Sequence, residues 1–248
     1  MSRGFLINGG GKLKNSFRFV YGLLASSAMK LLLQRTLWFV LALFFSLSVG
    51  SLQAQEEGFV PLFDGQSLAG WVGNKSSYLV KDGMIVIEPQ GGGGGNLYTE
   101  KEYGNFVLRF EFQLTPGANN GLGIHAPLEG DAAYVGKELQ ILDNEAEKYA
   151  SLQPYQYHGS VYGVIAAKRG YLRPTGEWNQ QEVRVQHPYI TVVLNGEVIL
   201  EGNYLEASKN GTLDKKEHPG LQRSRGHIGF LGHGDVVRFR NIKIKEIQ

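Results

Sequence analysis

The residues best suited to chemistry gather in and around K-E-L-Q-I-L-D at 137–143. Strict alternation puts Glu138 and Gln140 on one face of a strand and Leu139 and Ile141 on the other. The two apolar residues supply a face for a core. The opposite face then carries a carboxylate, which can move a proton, and a carboxamide, which can grip a hydroxyl through its oxygen or its nitrogen. Asp143 follows just beyond, and His125, His158 and Tyr162 flank the stretch with two imidazoles and a phenol. An imidazole exchanges protons near neutral pH. This pattern predicts Glu138, His158 and Asp143 as catalytic residues and His125, Gln140 and Tyr162 as substrate contacts. The plain alternative is a solvated sheet face or a structural ion pair. Two features count against ordinary two-carboxylate hydrolysis: position 140 is an amide, and without a bulge Asp143 faces away from Glu138.

Other candidates lie further along the chain. Trp178, in G-E-W-N at 176–179, offers a sugar-stacking ring or a packing residue. His233 stands between Gly232 and Gly234, as in a tight turn, and is read as a substrate contact. Arg223 and Arg225 border a long polar segment, and Arg223 is taken as a further contact. His187 and His218 each precede a proline and are assigned to loops with no role. There is no H-x-H or H-E-x-x-H pattern, so metal ligands stay unassigned; a divalent cation would need a site assembled across strands. The glycine run at 91–95 lacks a following lysine and helix pattern, so it reads as a surface loop rather than a phosphate cradle, and no nucleotide cofactor is indicated.

The elements that must hold these groups are strands. Residues 106–114, F-V-L-R-F-E-F-Q-L, place five apolar side chains on one face. Residues 78–87 read as a hairpin around Asp82-Gly83, and Asn195-Gly196 is the preferred dipeptide of a two-residue hairpin turn. Val237 and Phe239 keep one phase while Ile242 and Ile244 keep the other, which predicts a bulge near Arg240-Asn241. Residues 160–167 look strand-like, 143–150 could form a short helical turn, and 202–225 read as a long loop. Many short strands and little helical periodicity define an all-β sandwich or jelly roll in a single domain.

That domain is expected to span 55–248. Residues 37–49 form an apolar run of 13 residues, preceded by Lys30 and Arg35 and followed by small residues up to Ala54. This is the form of a secretory signal, too short for a comfortable membrane span, with cleavage after Ala54 and Met29 as a natural start. An exported protein of the periplasm or cell envelope is therefore expected, with no stable membrane insertion. Residues 1–54 hold six of the 25 basic residues and no acid, which leaves 19 basic against 23 acidic residues, a formal −4. A nucleic-acid partner loses its electrostatic basis. The chain has no cysteine, which excludes thiol chemistry, disulfides and lipid attachment through an N-terminal cysteine.

Several segments together resemble the 3-keto-disaccharide hydrolase family. They are P-L-F-D-G-Q-S-L-A-G-W at 61–71, Y-G-N-F-V-L-R-F-E-F at 103–112, A-N-N-G-L-G-I at 118–124 and E-L-Q-I-L-D at 138–143. G-S-V-Y-G-V at 159–164, G-E-W-N at 176–179, L-N-G at 194–196, G-H-I-G-F-L-G-H-G at 226–234 and F-R-N-I-K-I-K at 239–245 continue in order. The resemblance implies a concanavalin A-like jelly roll with a carbohydrate site on its concave sheet. It also implies cleavage of glycosides whose sugar carries a ketone at C3. Such a ketone acidifies the C2 proton, so a base can remove it and the C1 oxygen can leave; water then adds to the enone. A base, an acid and a group to hold the enolate oxygen are needed, and a divalent cation could serve as the last. Glucanases of this architecture carry E-x-D-x-x-E on one strand, which 138–143 matches only in part. His125, where an arginine is expected, and Lys137, where many relatives are apolar, depart from the pattern. A carbohydrate-binding module using the same face is the reading from a different class.

Overall fold

Alternating side chains set the faces of the fold, and two antiparallel sheets result. The protein's computed structural model describes residues 58–87 and 94–248. The leader, its cleavage point and residues 91–93 of the glycine run lie outside them. The strands are β1 (Val60–Pro61), β2 (Trp71–Gly73), β3 (Tyr78–Lys81), β4 (Met84–Ile87), β5 (Gly94–Thr99), β6 (Phe106–Leu114) and β7 (Asn119–Ala126). They continue with β8 (Lys137–Leu142), β9 (Trp178–Gln186), β10 (Tyr189–Leu194), β11 (Glu197–Asn203), β12 (His227–His233) and β13 (Val237–Glu246). One sheet runs β11-β10-β9-β6-β13-β4-β3 with β1 paired to β13, and the other runs β2-β5-β12-β7-β8.

The core lies between the two. Phe106, Leu108, Phe110, Phe112 and Leu114 of β6 all point into it, and burial of each contributes about 1.5–3 kcal/mol before entropy is counted. Phe230 of β12 stacks on Phe239 of β13 with centroids 3.8 Å apart, joining one sheet to the other. Both expected hairpin turns form with positive φ at each central residue: Asp82 and Gly83 at 51° and 74°, Asn195 and Gly196 at 52° and 95°. The bulge is present too. Pairing of β13 with β6 shifts between Arg240 and Lys243, Asn241 has φ 53°, and Val237, Phe239, Ile242 and Ile244 all reach the core.

Three segments differ from expectation. Gly94 and Gly95 open β5 rather than belonging to a loop. Residues 160–167 make only isolated bridges, Val161 with Leu139 and with Ile165. The long segment from 202 is more ordered than its composition suggests. Asn203 accepts hydrogen bonds from the Leu205 and Glu206 amides and so caps the helix Tyr204–Ser208, while Pro219 starts a 3-10 turn, Pro219–Gln222. The turn expected within 143–150 is a 3-10 turn, Glu147–Tyr149. Among the described residues no helix is long and apolar enough to cross a membrane.

Two segments frame β8, an edge strand. The short helix α1 (Ala132–Val135), capped by Asp131, precedes it. The chain at 159–162 binds along its free edge: Gly159 N–H donates to Gln140 O, Gln140 N–H to Ser160 O and Tyr162 N–H to Glu138 O. This strap satisfies edge groups that would otherwise be open for pairing.

Candidate active site

The strand that carries the candidate carboxylate is buried on both sides. Leu139 and Ile141 enter the core, while Glu138 and Gln140 point from the outer face of the five-stranded sheet and are only 7% and 5% exposed. Glycine makes room for them. A Cβ on Gly121, directly across from Gln140, would lie 2.0 Å from Glu138 Oε1. The carboxylate therefore rests on bare backbone. Nearby, a Cβ on Gly229 would meet the Tyr98 ring at 2.3 Å, and one on Gly123 would meet Leu231 at 3.2 Å. The sheet has a glycine floor on which longer neighbours lie flat.

The environment of Glu138 is unusual for a carboxylate. Its Oε1 is buried without a hydrogen-bond partner, and the nearest cation is His233 Nε2 at 3.9 Å, longer than a hydrogen bond. An unpartnered buried oxygen is costly. The Glu138 carboxylate raises the pKa of His233 against the opposing effect of burial, with Asp235 and Asp131 adding smaller attractions. His233 is about half exposed, so it reaches solvent and Glu138 together. Gln140 Nε2 donates to Asn119 Oδ1 at 2.7 Å, which fixes the amide beside the carboxylate. The Tyr162 amide binds Glu138 O. Burial raises the Tyr162 phenol pKa, as it does that of Tyr98, and the phenol is near enough for the Glu138 charge to bear on it too.

So the structure brings Glu138, Gln140, Tyr162 and His233 together. It takes the other candidates elsewhere. His158 is inside the sandwich, 1% exposed and stacked on Phe112 at 5.0 Å, where burial lowers its pKa to about 3. A histidine held neutral in the core cannot reach a substrate on the outer face. Asp143 turns away from Glu138 and accepts from the Gly117 and Glu145 amides, holding two loops. Trp178 is on the outer face of the other sheet, under the Arg240 guanidinium at 3.9 Å. His125 is fully buried, with Nδ1 3.0 Å from Arg223 O and Nε2 2.8 Å from Gly104 O. Its backbone φ of 49° turns the end of β7, and burial then the Lys137 charge lower its pKa to about 4. Arg223 Nε donates to His125 O, a structural tie.

Lys137 explains itself in the same region. It faces the interior, where Nζ donates to Gly220 O at 2.9 Å and Arg223 O at 2.8 Å over the ring of Tyr204. Burial and then Arg223 lower its pKa to about 7. It anchors the 3-10 turn at 219–222. His218, expected to be idle, is buried between Ala133 O and the Asp214 carboxylate, both 3.1 Å away, and pins the long loop to α1.

Strand phase could have found Tyr98, which alternates with core Leu97 and accepts from Asn96 at 2.8 Å. Nothing local signals Tyr155, Gln156 or Asn119. Among the described residues no three His, Asp or Glu side chains are placed to hold a metal ion. Glu138 and His233 form only a pair, which does not fit a protein-built metal centre.

The described residues thus form a two-sheet β-sandwich with a carboxylate, an imidazole and amides on one outer face. Residues 58–245 match the 3-keto-alpha-glucoside-1,2-lyase-like domain, and the chain belongs to that family. It is 28% identical over 232 residues to a 3-keto-disaccharide hydrolase of Bacteroides thetaiotaomicron, with 78% of this chain and 80% of the relative covered. Two crystal structures from Parabacteroides distasonis, provisionally assigned as glycosyl hydrolases, share its fold. One has a TM-score of 0.70 at 25% identity, covering 81% of this chain and 99% of the other. The second has a TM-score of 0.67 at 28% identity, covering 76% and 99%. These relationships make the chain a hydrolase-like, carbohydrate-active protein.

Proposed function

We propose that the protein cleaves glycosides whose sugar carries a ketone at C3, by elimination followed by hydration. The observation that carries this reading is the Oε1 atom of Glu138, a carboxylate oxygen buried without a partner beside an imidazole. Such an atom suits removal of a carbon-bound proton, because its lone pairs are not engaged elsewhere. Glu138 takes the C2 proton, the C2–H pair becomes the C1=C2 double bond, and the C1–O pair leaves with the aglycone oxygen. Water then adds at C1, and C2 regains a proton. His233, whose pKa is raised by Glu138, offers an imidazolium for the enolate oxygen at C3 when it is protonated. Gln140 and Asn119 give amide groups for sugar hydroxyls. The leader-like sequence of residues 1–54 supports placing this activity in the cell envelope.

The test is incubation of the purified domain with a 3-keto-glucoside and with its unoxidised parent, with and without a chelator. Aglycone release from the keto form alone is expected. Release from both would indicate ordinary hydrolysis. Saturable glycan binding without release from either would favour a binding module.

A further inference from the structure

We infer that Tyr162 is the acid that protonates the leaving aglycone, and that Gln156 positions its phenol for this. The inference rests on the reading just given and assigns a step that reading leaves open. The geometry begins with a short 3-10 turn, Pro154–Gln156, closed by a reciprocal capping box between Gln153 and Gln156. Within it the Gln153 amide donates to Gln156 Oε1 at 3.0 Å. A backbone N–H can only donate, so this contact fixes which end of the Gln156 amide is oxygen. The other end, Nε2, then faces Tyr162 Oη at 3.2 Å and must be the donor.

A phenol has one proton to give. Because Tyr162 accepts from Gln156, that proton is turned to a different acceptor. Its contact with Gln156 is the hydrogen bond its hydroxyl makes among the described residues. The ring is held as well: Tyr155 meets it edge-on at 6.0 Å, and the Tyr162 amide is tied to Glu138 O. The phenol thus belongs to the strap bonded along the strand that carries the base, and Gln156 does not take its proton. In the elimination, the C1–O bonding pair goes to the aglycone oxygen, which takes the Tyr162 proton and departs as an alcohol. Water returns a proton to the tyrosinate.

The test compares two 3-keto-glucosides, one with 4-nitrophenol and one with methanol as leaving group. Nitrophenolate leaves without acid help; methoxide does not. Tyr162→Phe removes a single oxygen and is expected to lower kcat on the methyl glycoside by about 100-fold, within the usual range for general acid catalysis. The nitrophenyl substrate should lose less than about threefold by the same reasoning. Gln156→Glu, nearly the same shape, replaces the donor with an acceptor that captures the phenol proton, and it should show the same selective loss. Gln156→Leu should give a milder loss on the methyl glycoside alone. Equal losses on both substrates, or none, would overturn the assignment even with an active parent protein. A parent protein that cleaves neither substrate refutes the elimination reading, and this assignment with it.

Discussion

Glu138 lies across Gly121, so that a Cβ there would stand 2.0 Å from Oε1, 2.7 Å from Cδ and 2.8 Å from Cγ. The two strands could pair with any residue at 121, but the carboxylate could not keep its place. Gly121→Ala is therefore expected to displace a flexible side chain and leave the sheet nearly intact. Activity on a 3-keto-glucoside should fall at least about tenfold, since misplacement of about 1 Å can cost more than that. A melting curve and kcat/KM on the same preparation check this: a large drop in Tm would mean that the backbone moves instead.

Glu138→Gln separates catalysis from support. The buried Oε1 has no hydrogen bond to lose, so the cost of the change to stability is confined to its attraction for the half-exposed His233. The variant should melt close to the parent temperature while losing about 100-fold or more in kcat, as expected on removal of a general base. Loss of Tm with activity retained would assign Glu138 a structural role.

What the sequence revealed followed from alternation and turn chemistry, which act over a few residues. The inward phenylalanines of β6, the Asn195-Gly196 turn and the shared face of Glu138 and Gln140 were all legible this way. The remaining site residues depend on tertiary placement. His158, Asp143 and His125 have the right chemistry for a site, yet the fold uses them in the core, as an amide acceptor for loops, and between two carbonyls. Trp178 fails for a simpler reason: β9 lies in the other sheet. Tyr155 and Gln156 reach the site through a turn whose contact with Tyr162 spans the strap and leaves no periodic trace.

The His233–Glu138 pair predicts a pH limb. The carboxylate raises the His233 pKa above its ordinary 6.5. The attraction is thus fully present below 6.5 and is lost as pH rises through the raised value. If the imidazolium holds the enolate, kcat/KM should decline on this alkaline side. His233→Gln should lower the plateau and remove the limb. A pH–rate profile checks it, and an unchanged limb in the variant would assign it to another group. Because His233 is half exposed, salt should weaken the effect.

His158 gives the opposite sign and bears on stability instead of catalysis. Burial lowers its pKa from 6.5 to about 3, so between those values the unfolded chain binds a proton that the folded protein refuses. Stability should therefore fall as pH drops from about 6.5 toward 3. His125, lowered to about 4, adds a loss of the same sign over a narrower window. His158→Phe keeps a ring against Phe112 and removes two buried nitrogens that lack partners. Denaturant melts from pH 7 to pH 4 should show a shallower acid decline in this variant, with the His125 part remaining. Its kcat on a 3-keto-glucoside at neutral pH should stay within about twofold of the parent, because a side chain sealed behind the sheet makes no contact with the reacting atoms. A collapse of kcat with an unaltered melting profile would return His158 to the active site.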